Sequence, residues 1–176
     1  MTIEKLTEIY QGRVLRFTVE EVRLPNNHVA TLEMAHHPGG AAIVALDDEQ
    51  RICLVRQYRH AVRDWIWEIP AGKIDDREPP LTTAQRELAE EAGREASEWH
   101  SLGEFLPSPG FLTEVVHLFF ATQLKVVQNN LEATEVLEAH WIAFEQALAM
   151  AESGELRDGK SLAALLRARP HVCRKG

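Results

Sequence analysis

The sequence of 176 residues is poor in cysteine and has no long apolar run. Two cysteines, Cys53 and Cys173, are too few for a disulfide framework or a thiolate zinc site, which favours a reducing compartment. No apolar stretch approaches the roughly 20 residues that cross a bilayer, and the first residues lack the pattern of a signal peptide. We therefore expect a cytoplasmic protein without a membrane partner.

Basic residues are also scarce, because 19 Lys and Arg face 27 Asp and Glu and give a net charge of −8. A general affinity for nucleic acid requires a basic face, so no nucleic-acid partner is expected. The acids are clustered: residues 68–95 hold eight acids against four bases, and residues 126–156 hold six glutamates and no Lys or Arg. Such clusters either lie dispersed on solvated faces or share a bound cation.

The order of apolar patterns predicts an α/β protein. Residues 14–24 and 28–36 are typical of a β-hairpin, and Pro38-Gly39-Gly40 then breaks the chain. After Pro79-Pro80 the period becomes helical, with Thr82 or Thr83 as the expected cap and Gly93 as the stop. The predicted domains are an N-terminal β module over residues 1–38 and an α/β body over residues 39–176.

Three glutamates share one face of that predicted helix. Glu87, Glu90 and Glu91 stand at positions i, i+3 and i+4, where like charges repel one another. A bound divalent cation that prefers hard oxygen ligands would reverse this penalty. On composition alone the helix would be read as an ordinary solvated one.

The spacing around these glutamates decides between the two readings. Residues 72–94 resemble the Nudix box, G-x5-E-x7-R-E-U-x-E-E-x-G-U with U apolar, and all seven fixed letters fall in register. A chance match in a chain of this length is on the order of one in a million, if each letter has average usage. The one departure is Arg94 at the final apolar position, which we expect to alter only packing at the helix end.

The resemblance implies a fold and a metal site. The fold is a Nudix-type α/β/α sandwich with a mixed sheet, preceded by a small N-terminal antiparallel β-hairpin module. The implied chemistry is hydrolysis of a nucleoside diphosphate linked to another moiety, with Mg²⁺ or Mn²⁺ as the cofactor. Metal ligands would be Glu87, Glu91 and the backbone carbonyl of Ala71, while Glu90 would ligate directly or act through water.

Other segments resemble the ADP-ribose pyrophosphatase subfamily. These are the N-terminal module, residues 55–59, residues 154–161, and Pro109 with its Ser-Pro-Gly context, sixteen residues after Gly93. The implied reaction converts ADP-ribose to AMP and ribose 5-phosphate, in a homodimer joined through the N-terminal module. Alternatives are hydrolysis of another nucleotide sugar such as GDP-mannose, hydrolysis of a dinucleotide, or a non-catalytic nucleotide sensor, which the intact box acids disfavour.

Two arginines in this acidic chain are candidates for binding the substrate's phosphates. A guanidinium binds phosphate oxygens in bidentate fashion, whereas Arg56 and Arg59 could instead be strand charges paired with Asp or Glu. By resemblance, Glu114 matches an acid that contacts the terminal ribose of the substrate. In one arrangement this substrate is the one bound by the neighbouring subunit. The predicted substrate-binding set is Arg56, Arg59, Glu68, Pro109, Gly110 and Glu114.

The general base and the residue that stacks on the nucleobase stay open. The resemblance places the base on a loop over residues 128–135, where Glu132 and Glu135 are equal candidates for activating water. Trp65 and Trp67 point the same way along a strand, so they either stack on a base or form an interface cluster.

Overall fold

The computed structural model describes residues 1–75, 77–128 and 137–172. It divides the chain into two compact units. The first unit comprises residues 1–39 together with residues 106–115, and the second comprises residues 40–105 and 116–176. The first unit therefore contains the predicted N-terminal module plus one segment that the sequence had placed with the body.

The first unit is built on an antiparallel sheet in the order β1-β2-β3. Its strands are β1 (Thr2–Gln11), β2 (Arg16–Arg23) and β3 (Val29–His36). The predicted hairpin is thus confirmed as β2 and β3, whereas β1 was not predicted. An isolated parallel bridge between Ala35 and Leu112 joins residues 106–115 to this sheet.

The second unit contains two sheets and three helices. One sheet has the order β10-β5-β6 and the other has the order β7-β4-β9-β8, in which β4 and β9 are parallel. The strands are β4 (Gly40–Ala45), β5 (Arg51–Arg59), β6 (Asp64–Glu68), β7 (Ala71–Lys73), β8 (Arg94–Phe105), β9 (Val116–Val126) and β10 (Leu137–Ala143). The helices are α1 (Pro80–Ala92), α2 (Phe144–Ser153) and α3 (Gly159–Val172).

Strand β4 explains the layering of the second unit, because all six of its residues are buried. Ala42 and Val44 belong to the core that contains residues of α2 and α3, while Ala41, Ile43 and Ala45 belong to the core that contains residues of α1. A strand buried on both faces reads as a continuous apolar run, as it does here. The sheets therefore lie between α1 and the other two helices, which confirms the predicted α/β fold with a mixed sheet.

Helix α1 positions the box glutamates. It begins at Pro80 with Pro79 as the N-cap and no side-chain cap, so the expected capping by Thr82 or Thr83 was wrong. Proline tolerates these first positions because their N–H groups lack helical partners in any case. The helix ends as predicted at Gly93, which adopts the left-handed conformation with φ of 60°. Over the described ranges, no helix is both long and apolar enough to cross a membrane.

Candidate active site

Two of the three box glutamates on α1 are buried rather than solvated. Glu87 is 6% exposed and Glu91 is 2% exposed, so the reading of a solvated surface helix is wrong for them. The backbone N–H of Ala71, in β7, donates to Oε2 of Glu91 over 2.9 Å. Buried carboxylates require charge partners or hydrogen bonds, so this face of α1 is a built polar site.

Gly72 lets the chain pass directly against one of these carboxylates. A Cβ atom at Gly72 would lie 1.8 Å from Oε1 of Glu87 and 2.0 Å from its Cδ. The box glycine therefore leaves room for the carboxylate, because a side chain there would force the carboxylate or the β7 backbone to move. The Glu87 carboxylate consequently lies against the β7 backbone at Gly72, the residue after Ala71, whose carbonyl we predicted as a metal ligand.

Arg86 organises the carboxylates around it. Its Nη1 donates to Glu87 over 2.6 Å and to Glu90 over 3.0 Å, and its Nη2 donates to Glu78 over 3.0 Å and to the Lys73 carbonyl over 3.3 Å. Arg86 therefore joins Glu87 and Glu90 on α1 to the loop before the helix. Burial would lower the pKa of Arg86, but these carboxylates outweigh it and raise the pKa.

Thr83 has a role that the sequence did not reveal. Its hydroxyl donates to Glu78 over 2.8 Å, and this hydrogen bond, followed by those from Arg86, lowers the pKa of the Glu78 carboxyl. Glu78 is therefore held as an anion. The box glutamate at this position thus fastens the loop to the first turn of α1.

We call the group of ion-paired side chains around Arg86 the box cluster. It has four carboxylates and two cations, and its members are Lys73, Asp75, Glu78, Arg86, Glu87 and Glu90. The buried Glu91 lies one residue further along α1. The cluster therefore keeps a negative excess of two charges, and all of its anionic groups are hard oxygen donors.

The carboxylates of the described residues do not meet at a single point. Among the residues that the structure describes, no three His, Cys, Asp or Glu side chains form a metal-binding group. Arg86 is hydrogen-bonded to both Glu87 and Glu90. Oxygen donors that lie against the β7 backbone still fit a divalent cation such as Mg²⁺, which binds through few carboxylates and keeps several waters.

A cleft of about 460 Å³ runs along α1 and gives access to Arg86. Its walls come from α1 and β8, and its lining residues are Thr82, Gln85, Arg86, Ala89, Glu95, Ala96 and Trp99. This volume is in the range of small-molecule pockets.

A second group of charges surrounds Glu68, and we call it the Glu68 cluster: Arg59, Glu68, Asp158 and Lys160. Glu68 is 2% exposed and accepts from Arg59 in bidentate fashion, over 2.6 Å from Nε and 2.9 Å from Nη2. The Lys160 ammonium contacts the same carboxylate and lies 3.0 Å from Asp158. Two anions and two cations balance here.

Burial raises the pKa of Glu68, but the hydrogen bond from Arg59 and the charge of Lys160 outweigh burial and lower the pKa to about 2. The residues were predicted separately as substrate contacts, and the structure instead joins Arg59 directly to Glu68. Sequence reasoning missed Lys160 and Asp158. Asp158 could have been found from the sequence, because Asp is a preferred N-cap residue. It directly precedes α3 and accepts from the N–H of Ser161, three residues later.

Arg56 lies on the same strand as Arg59 but has a different environment. Its guanidinium lies 5.9 Å from the ring centre of Trp65 and 6.0 Å from that of Trp67. Trp65 also meets Tyr58 edge to face at 6.0 Å between centroids. The two tryptophans therefore share one side of β6, as predicted, and Arg56 covers them.

The remaining predicted site residues belong to neither the box cluster nor the Glu68 cluster. Pro109, Gly110 and Glu114 belong to the first unit. There Oε1 of Glu114 lies 3.3 Å from Nδ1 of His37. Glu132 and Glu135 lie outside the described residues, so the choice of general base stays a prediction.

Comparisons with known proteins identify the family of the chain. The family model described as the NUDIX domain matches residues 36–165. The chain is 39% identical over 160 residues to the ADP-ribose pyrophosphatase of Bacillus subtilis (strain 168), covering 90% of this chain and 86% of that protein. It is 36% identical over 163 residues to the methanol dehydrogenase activator of Bacillus methanolicus, covering 92% and 88%.

A solved structure described as an ADP compounds hydrolase superposes with a TM-score of 0.84, covering 99% of this chain and 95% of that one at 18% identity. That likeness concerns the fold.

Proposed function

The chain belongs to the Nudix family of hydrolases, and from this premise we propose that it splits ADP-ribose into AMP and ribose 5-phosphate. The observation that carries the proposal is the complete box, with Glu87 and Glu91 buried against the Ala71–Gly72 backbone. The relative named for this reaction is similar over 90% of the chain, which supports ADP-ribose as the substrate.

The reaction consumes one water. The oxygen of that water bonds to one phosphorus of the diphosphate, and the bond between this phosphorus and the bridging oxygen breaks. The two products leave as phosphate monoesters. In this proposal Glu132 or Glu135 acts as the general base and accepts the proton of the attacking water. Arg59 and Arg56 bind the diphosphate, with Pro109, Gly110 and Glu114 assigned to the rest of the substrate.

Nudix hydrolases use a divalent metal ion, and Mg²⁺ is the ion that we propose, with Mn²⁺ as a substitute. Glu87, Glu90, Glu91 and the carbonyl of Ala71 would hold it. When bound, the ion neutralises charge that develops on the diphosphate and lowers the pKa of a water. Arg86 keeps Glu87 and Glu90 on one side of α1.

The first unit supports a homodimer. Every residue of β1 is exposed, and β1 lies at an edge of its sheet. Its exposed apolar side chains are Ile3, Leu6, Ile9 and Tyr10. A long apolar edge strand is a ready surface for pairing with another chain, so a second copy is the proposed occupant. Sedimentation should give twice the chain mass, and a monomer at micromolar concentration would refute this part.

The substrate assignment is tested by mixing the purified protein with ADP-ribose and Mg²⁺ and following AMP by chromatography. A parallel panel contains GDP-mannose and a dinucleotide. Rapid AMP release from ADP-ribose, lost with EDTA and restored by Mg²⁺, supports the proposal. Cleavage of GDP-mannose without cleavage of ADP-ribose would change the substrate, and tight binding of ADP-ribose without hydrolysis in any divalent ion would make the protein a sensor.

The cytoplasm remains the proposed location, on the cysteine usage alone. Cys53 is buried and unbridged, as a reducing compartment allows.

A further inference from the structure

Lys160 contacts a carboxylate that is 92 residues away in the sequence and almost completely buried. The Glu68 carboxylate accepts both guanidinium hydrogen bonds of Arg59 on one side and contacts the Lys160 ammonium through Oε2. The side chain of Lys160 is itself only 15% exposed, so this contact is built into the fold and is not a surface ion pair.

The start of α3 fixes the position of Lys160. Asp158 accepts from the Ser161 N–H over 3.0 Å and from Lys160 over 3.0 Å. The Ser161 hydroxyl in turn accepts from the backbone N–H of Ile69, the residue after Glu68, over 2.9 Å. The helix start is thus fastened to the strand end that carries Glu68, and Lys160 has little freedom to leave its carboxylate.

Arg59 differs from its two partners because it reaches solvent. Its side chain is 42% exposed, against 2% for Glu68 and 15% for Lys160. The hydrogen bonds to Glu68 use Nε and Nη2, and a guanidinium has five N–H donors in all. The hydrogen bond with Glu68 raises the pKa of Arg59, and the charge of Glu91 on α1 also raises it, so Arg59 lies within electrostatic reach of the box helix.

Lys160 determines the net charge of the Glu68 cluster. With Glu68 and Asp158 set against Arg59 alone, the cluster would carry a net charge of −1 and would repel a diphosphate. Lys160 restores neutrality from the buried side, which leaves the exposed cation, Arg59, facing solvent. A buried cation can act in this way because charges in a protein interior are poorly screened.

We infer that Lys160 is a positioning residue for substrate binding, which acts through Glu68 to keep Arg59 both oriented and electrostatically available to the substrate's diphosphate. This inference rests on the proposed function, in which Arg59 binds that diphosphate. It also explains why residues 154–161, far from the box in sequence, belong to the same machinery.

The test compares three variants with the wild type. Lys160→Met removes the charge, Lys160→Arg keeps it, and Lys160→Met combined with Glu68→Gln removes one charge of each sign. Lys125→Met is the matched control, because Lys125 is an exposed lysine on β9. Each protein is assayed for KM and kcat at two ionic strengths, and its thermal midpoint is recorded.

The expected result is a change in KM. Lys160→Met should raise KM about tenfold with kcat within about twofold, since an interaction equal in ground and transition states alters KM alone. Lys160→Arg should recover most of the affinity. The double variant should have a KM at least as high as that of Lys160→Met, because its cluster is neutral but Arg59 has lost the carboxylate that orients it. Added salt should narrow the difference in KM between Lys160→Met and the wild type, because salt screens the attraction between the diphosphate and the solvent-exposed Arg59.

Three results would overturn the inference: an unchanged KM in Lys160→Met, a KM in Lys160→Arg as high as in Lys160→Met, or an equal rise in Lys125→Met. A loss confined to kcat and the thermal midpoint would also overturn it, because a purely structural lysine predicts that pattern. The substrate is whichever compound of the panel the wild type cleaves, so a failure of ADP-ribose as substrate leaves this test intact.

Discussion

The box cluster and the Glu68 cluster are both groups of ion-paired side chains in the second unit, yet their charges are set up in opposite ways. Around Arg86, four carboxylates face two cations, and Glu91 adds a further buried carboxylate nearby. Around Glu68, two carboxylates face two cations. A balanced cluster is complete within the protein, whereas the negative excess of the box cluster, beside the buried Glu87 and Glu91, fits the binding of a divalent cation.

This comparison predicts that removing a carboxylate has opposite consequences in the two clusters. In the box cluster or at the adjacent Glu91 it should abolish activity and leave the free energy of unfolding nearly unchanged, because the remaining carboxylates repel one another less. In the Glu68 cluster it should destabilise the fold, because two cations lose their shared partner.

The largest effect is expected for Glu91→Gln. The glutamine amide keeps an oxygen that can accept from the Ala71 N–H, but the negative charge is lost. Turnover of the substrate should therefore fall by about three orders of magnitude. That factor corresponds to the several kcal/mol by which a catalytic metal lowers the activation barrier. The free energy of unfolding, measured by urea denaturation, should stay within about 1 kcal/mol of the wild type.

The matched control is Glu152→Gln, at an exposed position of α2, which should retain full turnover. If Glu91→Gln kept more than a tenth of the wild-type rate, the buried carboxylate beside the box cluster would not be a metal ligand, and the negative excess of the cluster would need another explanation.

The next effect is expected for Gly72→Ala. The added Cβ would lie 1.8 Å from Oε1 of Glu87, so either the carboxylate or the β7 backbone must move. A displacement of about 1 Å in a catalytic group costs on the order of 100-fold in rate. We expect kcat to fall by that amount, with a weaker affinity for Mn²⁺ measured by titration. A variant with normal kcat would show that the position of Glu87 is not critical.

The sequence predicted the box cluster far better than the Glu68 cluster, and the reason is distance along the chain. The box cluster is drawn from residues 73–90, where helical spacing and the box pattern fix which carboxylates meet. The contact between Glu68 and Lys160 spans 92 residues and depends on how α3 packs, which no local pattern records. Arg59 illustrates the difference, because the sequence offered both a phosphate and a carboxylate partner for it.

Strand β1 was missed for a different reason. Its apolar residues Ile3, Leu6 and Ile9 are three apart, which breaks the alternation expected of a strand. The register with β2 shifts between Ile3 and Lys5 and again between Glu8 and Tyr10, so the strand contains irregularities that interrupt its period. The arrangement is visible only once the pairing is known.

A third effect separates the clusters by pH. The pKa of the Glu68 carboxyl is about 2 in the folded protein, against an ordinary value of 4.5. A lowered carboxyl pKa contributes stability that is complete above pH 4.5 and is lost as the pH falls towards 2. The stability difference between wild type and Glu68→Gln should therefore shrink by on the order of 2 kcal/mol between pH 5 and pH 2.5.

Urea denaturation followed by tryptophan fluorescence measures this difference, with Glu152→Gln as the control that should follow the wild type at every pH. A Glu68→Gln variant whose disadvantage is constant from pH 5 to pH 2.5 would contradict the lowered pKa. It would also weaken the contrast with the box cluster, because Glu68 would then not be held as an anion by its cations.

The smallest effect concerns Arg94, the departure from the box pattern. Its guanidinium lies 4.9 Å from the ring centre of Trp141, and its Nη1 donates to the Gly93 carbonyl over 3.0 Å, so Arg94 belongs to neither cluster. Arg94→Leu restores the apolar residue of the pattern and exchanges a cation–π contact, of about 0.5–1 kcal/mol, for apolar packing. We expect unchanged kcat and KM and a shift in the free energy of unfolding of less than about 1 kcal/mol.

A double-mutant cycle with Trp141→Leu isolates the contact between Arg94 and Trp141. A large loss of kcat in Arg94→Leu would mean that the box site depends on a cation beyond Arg86 and Lys73.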